Sequence, residues 1–259
     1  MTQPVLHFYD IDERVTAFST TRQGGYSQGL YGEFNINSYC GDDVEAIRQN
    51  RLSLCTLLGI NDDCLLMPHQ VHLTKVATIN KSFLHLSANE RRQQLESVDA
   101  LMTDVPGVCI GVSTADCIPI LLYDPRHHVS CAIHAGWRGT VARIVSKAVS
   151  GIVATYGTQP FDLIAQIGPG ISLDSFEVGN EVYEAFAEAR FDMSAISEYR
   201  DKWHIDLPLC NRLQLIEAGV PASHIDTYPV CTFQHSDNYF SARRLGIQSG
   251  RIFTAIMLR

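Results

Sequence analysis

Apolar positions recur at helical spacing in two long stretches of the chain. From Asp42 to Leu58, the residues Val44, Ile47, Leu54, Cys55 and Leu58 fall on one stripe. Asp42 and Asp43 suit a helix N-terminus there, and Gly59 follows as a C-cap would. From Thr140 to Tyr156 the rhythm is clearer. Val141, Ile144, Val145, Ala148, Val149, Ile152, Val153 and Tyr156 form the apolar face, Arg143, Ser146, Lys147 and Ser150 the polar one, and Gly157 closes the segment. Shorter helices are predicted over Val178–Ala189 and Leu207–Ala218.

Between the helices lie short apolar, β-branched runs: Val108–Ser113, Ile118–Tyr123, Val129–His134 and Leu163–Ile167. Each is bounded by Gly, Pro or Asp, and Arg251–Leu258 reads as a last strand. Strands interleaved with long amphipathic helices predict an α/β (α+β) layered sandwich, a mixed sheet with helices packed on it. The links between the strands from Val108 to His134 are too short for helical crossovers, so part of the sheet is expected to be antiparallel. No linker, repeat or low-complexity segment interrupts the pattern, and residues 1–259 read as one domain.

Composition matters mainly for what it excludes. With 46% hydrophobic and 19% charged residues, the 259-residue chain is an ordinary globular one with ample core. Its 28 acidic and 20 basic residues give a net charge of −8, which argues against nucleic-acid or anionic-membrane partners. No apolar run approaches the roughly 20 residues of a membrane helix. The N-terminal residues lack the basic and apolar regions of a signal peptide, so a cytoplasmic protein is expected. Eight cysteines, with no secretory signal, then read as reduced thiols. No C-x-x-C occurs, which disfavours zinc fingers, zinc ribbons and thioredoxin-type pairs. The ten histidines form no H-x-H pair, so a multicopper cluster is not expected.

Four clusters join polar chemistry to tight backbone: Met67–His72, Ser113–Cys117, Ile133–Thr140, and Cys231–Phe233 with Phe240–Arg244 and Gly250-Arg251. In the third, a strand ending in His134 meets two glycines and a helix start. Backbone N–H groups and the forked cation of Arg138 are thereby brought near an imidazole. Cys117 follows a polar run at a strand boundary, unlike Cys55, Cys109 and Cys131, which lie inside apolar patterns and read as core. His69 and His72 share a face if their segment is a helical turn, and lie on opposite faces if it is extended. One thiolate and two imidazoles from His72, Cys117 and His134 would make a zinc site with an open fourth position. Cys117 and His134 read equally as a thiol hydrolase dyad, with Asp116 as the orienting group.

These residues resemble the motifs of the YfiH-type laccase-domain family. Its members are also described as multifunctional purine nucleoside enzymes and, earlier, as polyphenol oxidases. The resemblance runs through Thr20–Gly29, Phe34-Asn35-Ile36, Gly41-Asp42-Asp43 with Asn50-Arg51, Gln70-Val71-His72, Thr114–Cys117 and His134–Gly139. It continues through Ile167–Ile171, Phe176–Gly179, and Cys231-Thr232-Phe233 with Phe240–Arg244. Asn37 stands where the family usually has glycine. The resemblance implies an α/β sandwich likened to cysteine hydrolases, and one zinc ion, sometimes replaced by copper, held by His72, Cys117 and His134, with His69 a neighbour. It implies phosphorolysis of adenosine, inosine, guanosine and methylthioadenosine, and deamination of adenosine.

On that reading Arg138, the helix start after Gly139, Arg22 and Arg243 are expected to hold phosphate. Asp116 is expected to orient a ligand or move a proton. The resemblance also sets Asn35 and Glu177 near ribose or base, and Cys231 is held in reserve as a group behind the ligands. A copper-dependent phenol oxidase and an amide-cleaving thiol hydrolase are the alternative activities.

Overall fold

The computed structural model describes residues 3–259. Two β-sheets pack face to face, and helices cover both outer faces. One sheet has five strands in the order Leu6–Tyr9, Val15–Thr20, Ile252–Leu258, Cys109–Thr114, Leu65–Leu66, antiparallel except for the last pair. The other has six, in the order Ile225–Thr227, Ile164–Ile167, Ile118–Asp124, Val129–Ala135, Ala100–Thr103, Val76–Ile79. Its inner pairs are antiparallel and its two outermost pairs parallel.

The alternation along each strand sorts its residues between layers. Val15, Ala17, Ile110, Val112 and Ile256 of the five-stranded sheet meet Leu101, Leu121, Tyr123 and Ala132 of the six-stranded sheet. Phe18, Cys109, Phe253 and Ala255 point the other way, onto Phe34, Ile36, Leu54 and Cys55. The opposite face of the six-stranded sheet, with Ile118, Ile120, Leu122, Cys131 and Ile133, is covered by Ile144, Val145, Ala148, Val149 and Ile152 and by the Leu207–Glu217 helix. Strands with both faces covered read as unbroken apolar runs. That is why Cys109–Thr114, Ile118–Asp124, Val129–Ala135 and Ile252–Leu258 are buried throughout.

The first predicted helix forms as Val44–Leu58. The Asp43 side chain caps the N–H of Ala46, and Gly59 ends the helix at φ 68°. The predicted Thr140–Tyr156 helix is instead two helices, Trp137–Val141 and Ile144–Tyr156, broken at Arg143, whose φ is +64°. A non-glycine residue adopts that conformation at a cost of about 1–2 kcal/mol. Arg143 offsets the cost through its guanidinium, which lies 4.0 Å from the Phe191 ring and bonds Glu217 at 3.0 Å and the Ala189 carbonyl at 2.9 Å. Periodicity continues across the break because Val141 still packs against the same core. The Val178–Ala189 prediction shortens to Asn180–Glu188, because Val178 belongs to a small three-stranded sheet with Ser197–Tyr199 and Trp203–Ile205. Among the described residues no helix is long and apolar enough to cross a membrane.

Candidate metal centre

The chain leaves the five-stranded sheet at Thr114 and enters the six-stranded sheet at Ile118. Ala115-Asp116-Cys117 makes this crossing, and Asp116 turns it at φ +84°. His134 lies one residue from the end of the adjacent Val129–Ala135 strand, in register with Pro119. His72 sits at φ +63° in the loop before Val76–Ile79. The three converge: the ligand atoms of His72, Cys117 and His134 all lie within 4.8 Å of one another. Gly136 makes the convergence fit. A Cβ there would stand 2.7 Å from His72 Cδ2 and 3.1 Å from Cys117 Sγ.

Asp99 organises the cluster. Its buried carboxylate accepts the His134 ring at Nδ1, 2.8 Å away, and so leaves Nε2 as that ring's ligand atom. The same carboxylate accepts the backbone N–H groups of His72 and Leu73, each at 2.9 Å, and of Val71 at 3.4 Å. Thus one side chain fixes both the imidazole and the loop that carries the other histidine. Burial alone would push the Cys117 thiol up and the His134 imidazole down. Attraction and hydrogen bonding from His134 and His72 hold the thiol below its ordinary value, and Cys117 and Asp99 together hold the His134 imidazole above its own. Burial also raises Asp99, and the donors around it overcome this and hold its carboxyl below the ordinary range. By contrast, burial pushes the Cys55, Cys109, Cys131 and Cys210 thiols up.

A cavity of about 270 Å³ opens over the three side chains. Among the described residues its wall carries no Asp or Glu, and Arg251 is its one Lys or Arg. The Arg251 guanidinium donates to the carbonyls of Ser249 at 2.6 Å, Gly250 at 2.9 Å and Ile247 at 2.8 Å, shaping the loop at the rim. Gln70 pairs with Ser113 like a short strand, its Oε1 accepting the Ser113 N–H at 2.7 Å and its Nε2 donating to the Ser113 carbonyl at 2.8 Å. Thr114 lines the same wall, 1% exposed, with a hydroxyl that meets no hydrogen-bond partner among the described residues.

Several expected site residues stand elsewhere. Arg138 is exposed and lies over the Trp137 ring at 4.2 Å, outside the cavity wall. Gly139 is inside the Trp137–Val141 turn rather than at its start, and its role is close packing beside the Leu73 carbonyl. Arg22 donates to the carbonyls of Gly32 at 2.9 Å and Ser236 at 2.6 Å, tying two loops together away from the cavity. Asn35 is fully buried, donating to Asp42 at 2.8 Å and accepting the N–H groups of Asn37 and Arg251. Arg243 donates to the Glu177 carbonyl at 2.9 Å, and the Glu177 carboxylate pairs with Lys202 at 2.6 Å, so both are outside the wall. Asp116 spends its carboxylate on Thr232 Oγ1 and the Arg243 N–H, each at 2.7 Å. It pins the crossing turn, and Asp99 takes the orienting position expected of it. Cys231 lines a different cavity, where Ser172 N and Ser175 Oγ lie 3.4 Å from its sulfur. His69 does line the cavity over His72, Cys117 and His134 but turns its Nδ1 to Glu96 at 2.6 Å. Sequence reasoning missed Asp99, whose one signal is a carboxylate directly ahead of the apolar run Ala100–Met102.

The chain is 47% identical over 247 residues to a purine nucleoside phosphorylase of Bacteroides thetaiotaomicron, covering 94% of this chain and 92% of that one. It is 44% identical over 254 residues to adenosine deaminase RL5 of an unknown prokaryotic organism, covering 97% of each. The fold matches the crystal structure of the hypothetical protein YfiH of Bacillus licheniformis with a TM-score of 0.92 and 26% identity, over 99% of this chain and 97% of that one. Residues 16–259 match the family described as multi-copper polyphenol oxidoreductase laccase. On fold, motifs and relatives together, the chain belongs to that laccase-domain family, the one its motifs resemble.

Proposed function

We propose that this protein is a zinc-dependent purine nucleoside enzyme. It cleaves adenosine, inosine, guanosine and methylthioadenosine with phosphate, giving the base and the ribose (or methylthioribose) 1-phosphate, and it deaminates adenosine. The observation that carries the chemistry is the His72–Cys117–His134 group facing a cavity, with Asp99 behind it. The names of the two close relatives support the substrate class.

The donor set suits zinc, since two imidazoles and a thiolate leave a fourth position open, and copper is the alternative ion. A zinc ion held there supplies Lewis acidity and lowers the pKa of a water toward about 7. The remaining work falls to the chain. Asp99 fixes the tautomer of His134, and Gly136 leaves the ligands room. Phosphorolysis needs a phosphate dianion held while the sugar gains oxocarbenium character and the purine departs. A wall without carboxylates and with Arg251 on it suits that anion, in place of Arg22, Arg138 and Arg243. The buried Thr114 hydroxyl stands ready as donor or acceptor to a bound oxygen or nitrogen.

One observation favours a second reading. Cys117, His134 and Asp99 stand in the order nucleophile, base and orienting group. A thiol hydrolase built on them would survive chelators and be killed by a thiol alkylator. Product analysis separates the readings: a purine nucleoside panel with and without phosphate, alongside metal quantification and a phenolic substrate on the copper-loaded protein. Release of free base that depends on phosphate and metal supports the nucleoside enzyme. Phenol oxidation or amide cleavage without nucleoside turnover overturns it.

A further inference from the structure

At the mouth of the cavity the rings of Tyr39 and His69 stack, with centroids 4.2 Å apart and planes 20° from parallel. Both residues line the cavity wall that carries His72, Cys117 and His134. The pair is fixed from several sides. The Tyr39 N–H donates to Asn37 Oδ1 at 2.6 Å, and Asn37 in turn donates to Ser113 Oγ at 2.6 Å. His69 is clamped along its backbone, its N–H on the Leu95 carbonyl at 3.0 Å and its carbonyl on the Val98 N–H at 3.2 Å. Glu96 then locks the ring at Nδ1, 2.6 Å away.

Despite these restraints Tyr39 is 48% exposed, and its hydroxyl meets no partner among the described residues. Ile247, which lines the same cavity, is 79% exposed. A rigid aromatic pair and an uncovered aliphatic side chain therefore border one opening. Neither Tyr39 nor Ile247 contributes to the core, and neither reaches the metal ligands by a hydrogen bond. A flat apolar group entering the cavity would cover both. Every purine has such a face, and stacking on a pre-ordered ring loses little conformational entropy.

We propose that the Tyr39–His69 stack is the platform that receives the purine ring, with Ile247 as the apolar lip of the same slot. This rests on the nucleoside reading and names the part of the site that sets preference for a purine over a smaller ring. The bicyclic base covers more of the platform than a pyrimidine does, so the stack itself discriminates between them. The Tyr39 hydroxyl has no part in this, so a phenylalanine serves equally well.

The test is calorimetric binding of inosine and uridine to the metal-loaded wild type, Tyr39→Phe and Tyr39→Ala, with metal content and turnover measured on the same samples. Tyr39→Ala is expected to bind inosine about 5- to 150-fold more weakly, the range found when a base loses an aromatic partner. Tyr39→Phe stays within about twofold of wild type, and the preference for inosine over uridine narrows only in Tyr39→Ala. Metal content is unchanged in both. Equal inosine affinity in wild type and Tyr39→Ala overturns the platform, as does a wild type that binds no inosine. A wild type that binds inosine through Tyr39 but does not turn it over supports the platform and overturns the reaction assigned above.

Discussion

Replacing Asp99 by asparagine removes one charge and one acceptor while keeping the shape of the side chain. Asp99 receives four donors: His134 Nδ1 at 2.8 Å, the N–H groups of His72 and Leu73 at 2.9 Å, and that of Val71 at 3.4 Å. An asparagine amide has one oxygen. If it faces His134 and His72, its NH₂ group meets the N–H groups of Leu73 and Val71, and the reverse orientation is no better. Bonds to a charged group are worth about 1.5–3 kcal/mol and neutral ones about 0.5–1.5 kcal/mol, so the metal-free protein should lose about 1–3 kcal/mol. The larger consequence is for the ligands. With His134 and the His72 loop less firmly held, metal affinity should fall about 10- to 100-fold, or about 1.4–2.7 kcal/mol. Competition against a chromophoric chelator measures the affinity, and urea unfolding of the chelated proteins measures the stability. There is also a pH signature. The depressed Asp99 pKa contributes stability that is present above the unfolded value, about 3.9, and lost as pH falls through the folded one. Asp99→Asn should therefore flatten the acid limb of the stability curve. A folded Asp99→Asn protein with wild-type metal affinity would refute the orienting role and reduce Asp99 to a clip on the loop.

Three further outcomes follow from the same geometry. Gly136→Ala should fold, since Gly136 has an ordinary φ of −71°, yet lose at least about tenfold in metal affinity, because its Cβ would crowd His72 and Cys117; chelator competition and circular dichroism check both halves. In the chelated protein a thiol alkylator should modify Cys117 ahead of Cys55, Cys109, Cys131 and Cys210, and metal should protect it, as peptide mapping by mass spectrometry can read. Arg251→Gln should raise the KM for phosphate about tenfold or more, and more than it raises the KM for adenosine in deamination, whereas Arg138→Ala should change neither, in steady-state assays of both reactions.

Much of the inner architecture was legible because burial on both faces writes long apolar runs, although the inner strands Val15–Thr20 and Ala100–Thr103 were not read. Ile118–Asp124 and Ile252–Leu258 stand out for that reason, as do the stripes on the helices that cover the sheets. The outer strands were not legible. Leu6–Tyr9 and Val76–Ile79 lie at sheet edges, half-covered, and carry no such run. The break at Arg143 was hidden because tertiary contacts of its guanidinium, rather than any local signal, stabilise a positive φ. Within the site, the motif residues Cys117 and His134 were recognisable from strand ends and glycines. The choice of His72 over His69 came from the motif resemblance and not from local pattern, because neither an extended segment nor a helical turn describes a loop with His72 at positive φ. Asp99 pairs with a histidine 35 residues away, and nothing local to either residue records that pairing. Arg22, Asn35, Asp116 and Arg243 stand out in the sequence as polar residues beside tight turns, and the structure occupies each with holding loops together.

On the proposed function, one metal ion held by His72, Cys117 and His134 is required for nucleoside turnover. Stepwise zinc addition to the chelated protein, with phosphorolysis of inosine followed at each step, tests it most directly. Activity should rise in proportion to bound zinc and stop at one ion per chain, and Cys117→Ser should neither retain the ion nor recover activity. Full turnover by metal-free protein, or by a metal-free Cys117→Ser variant, would contradict it.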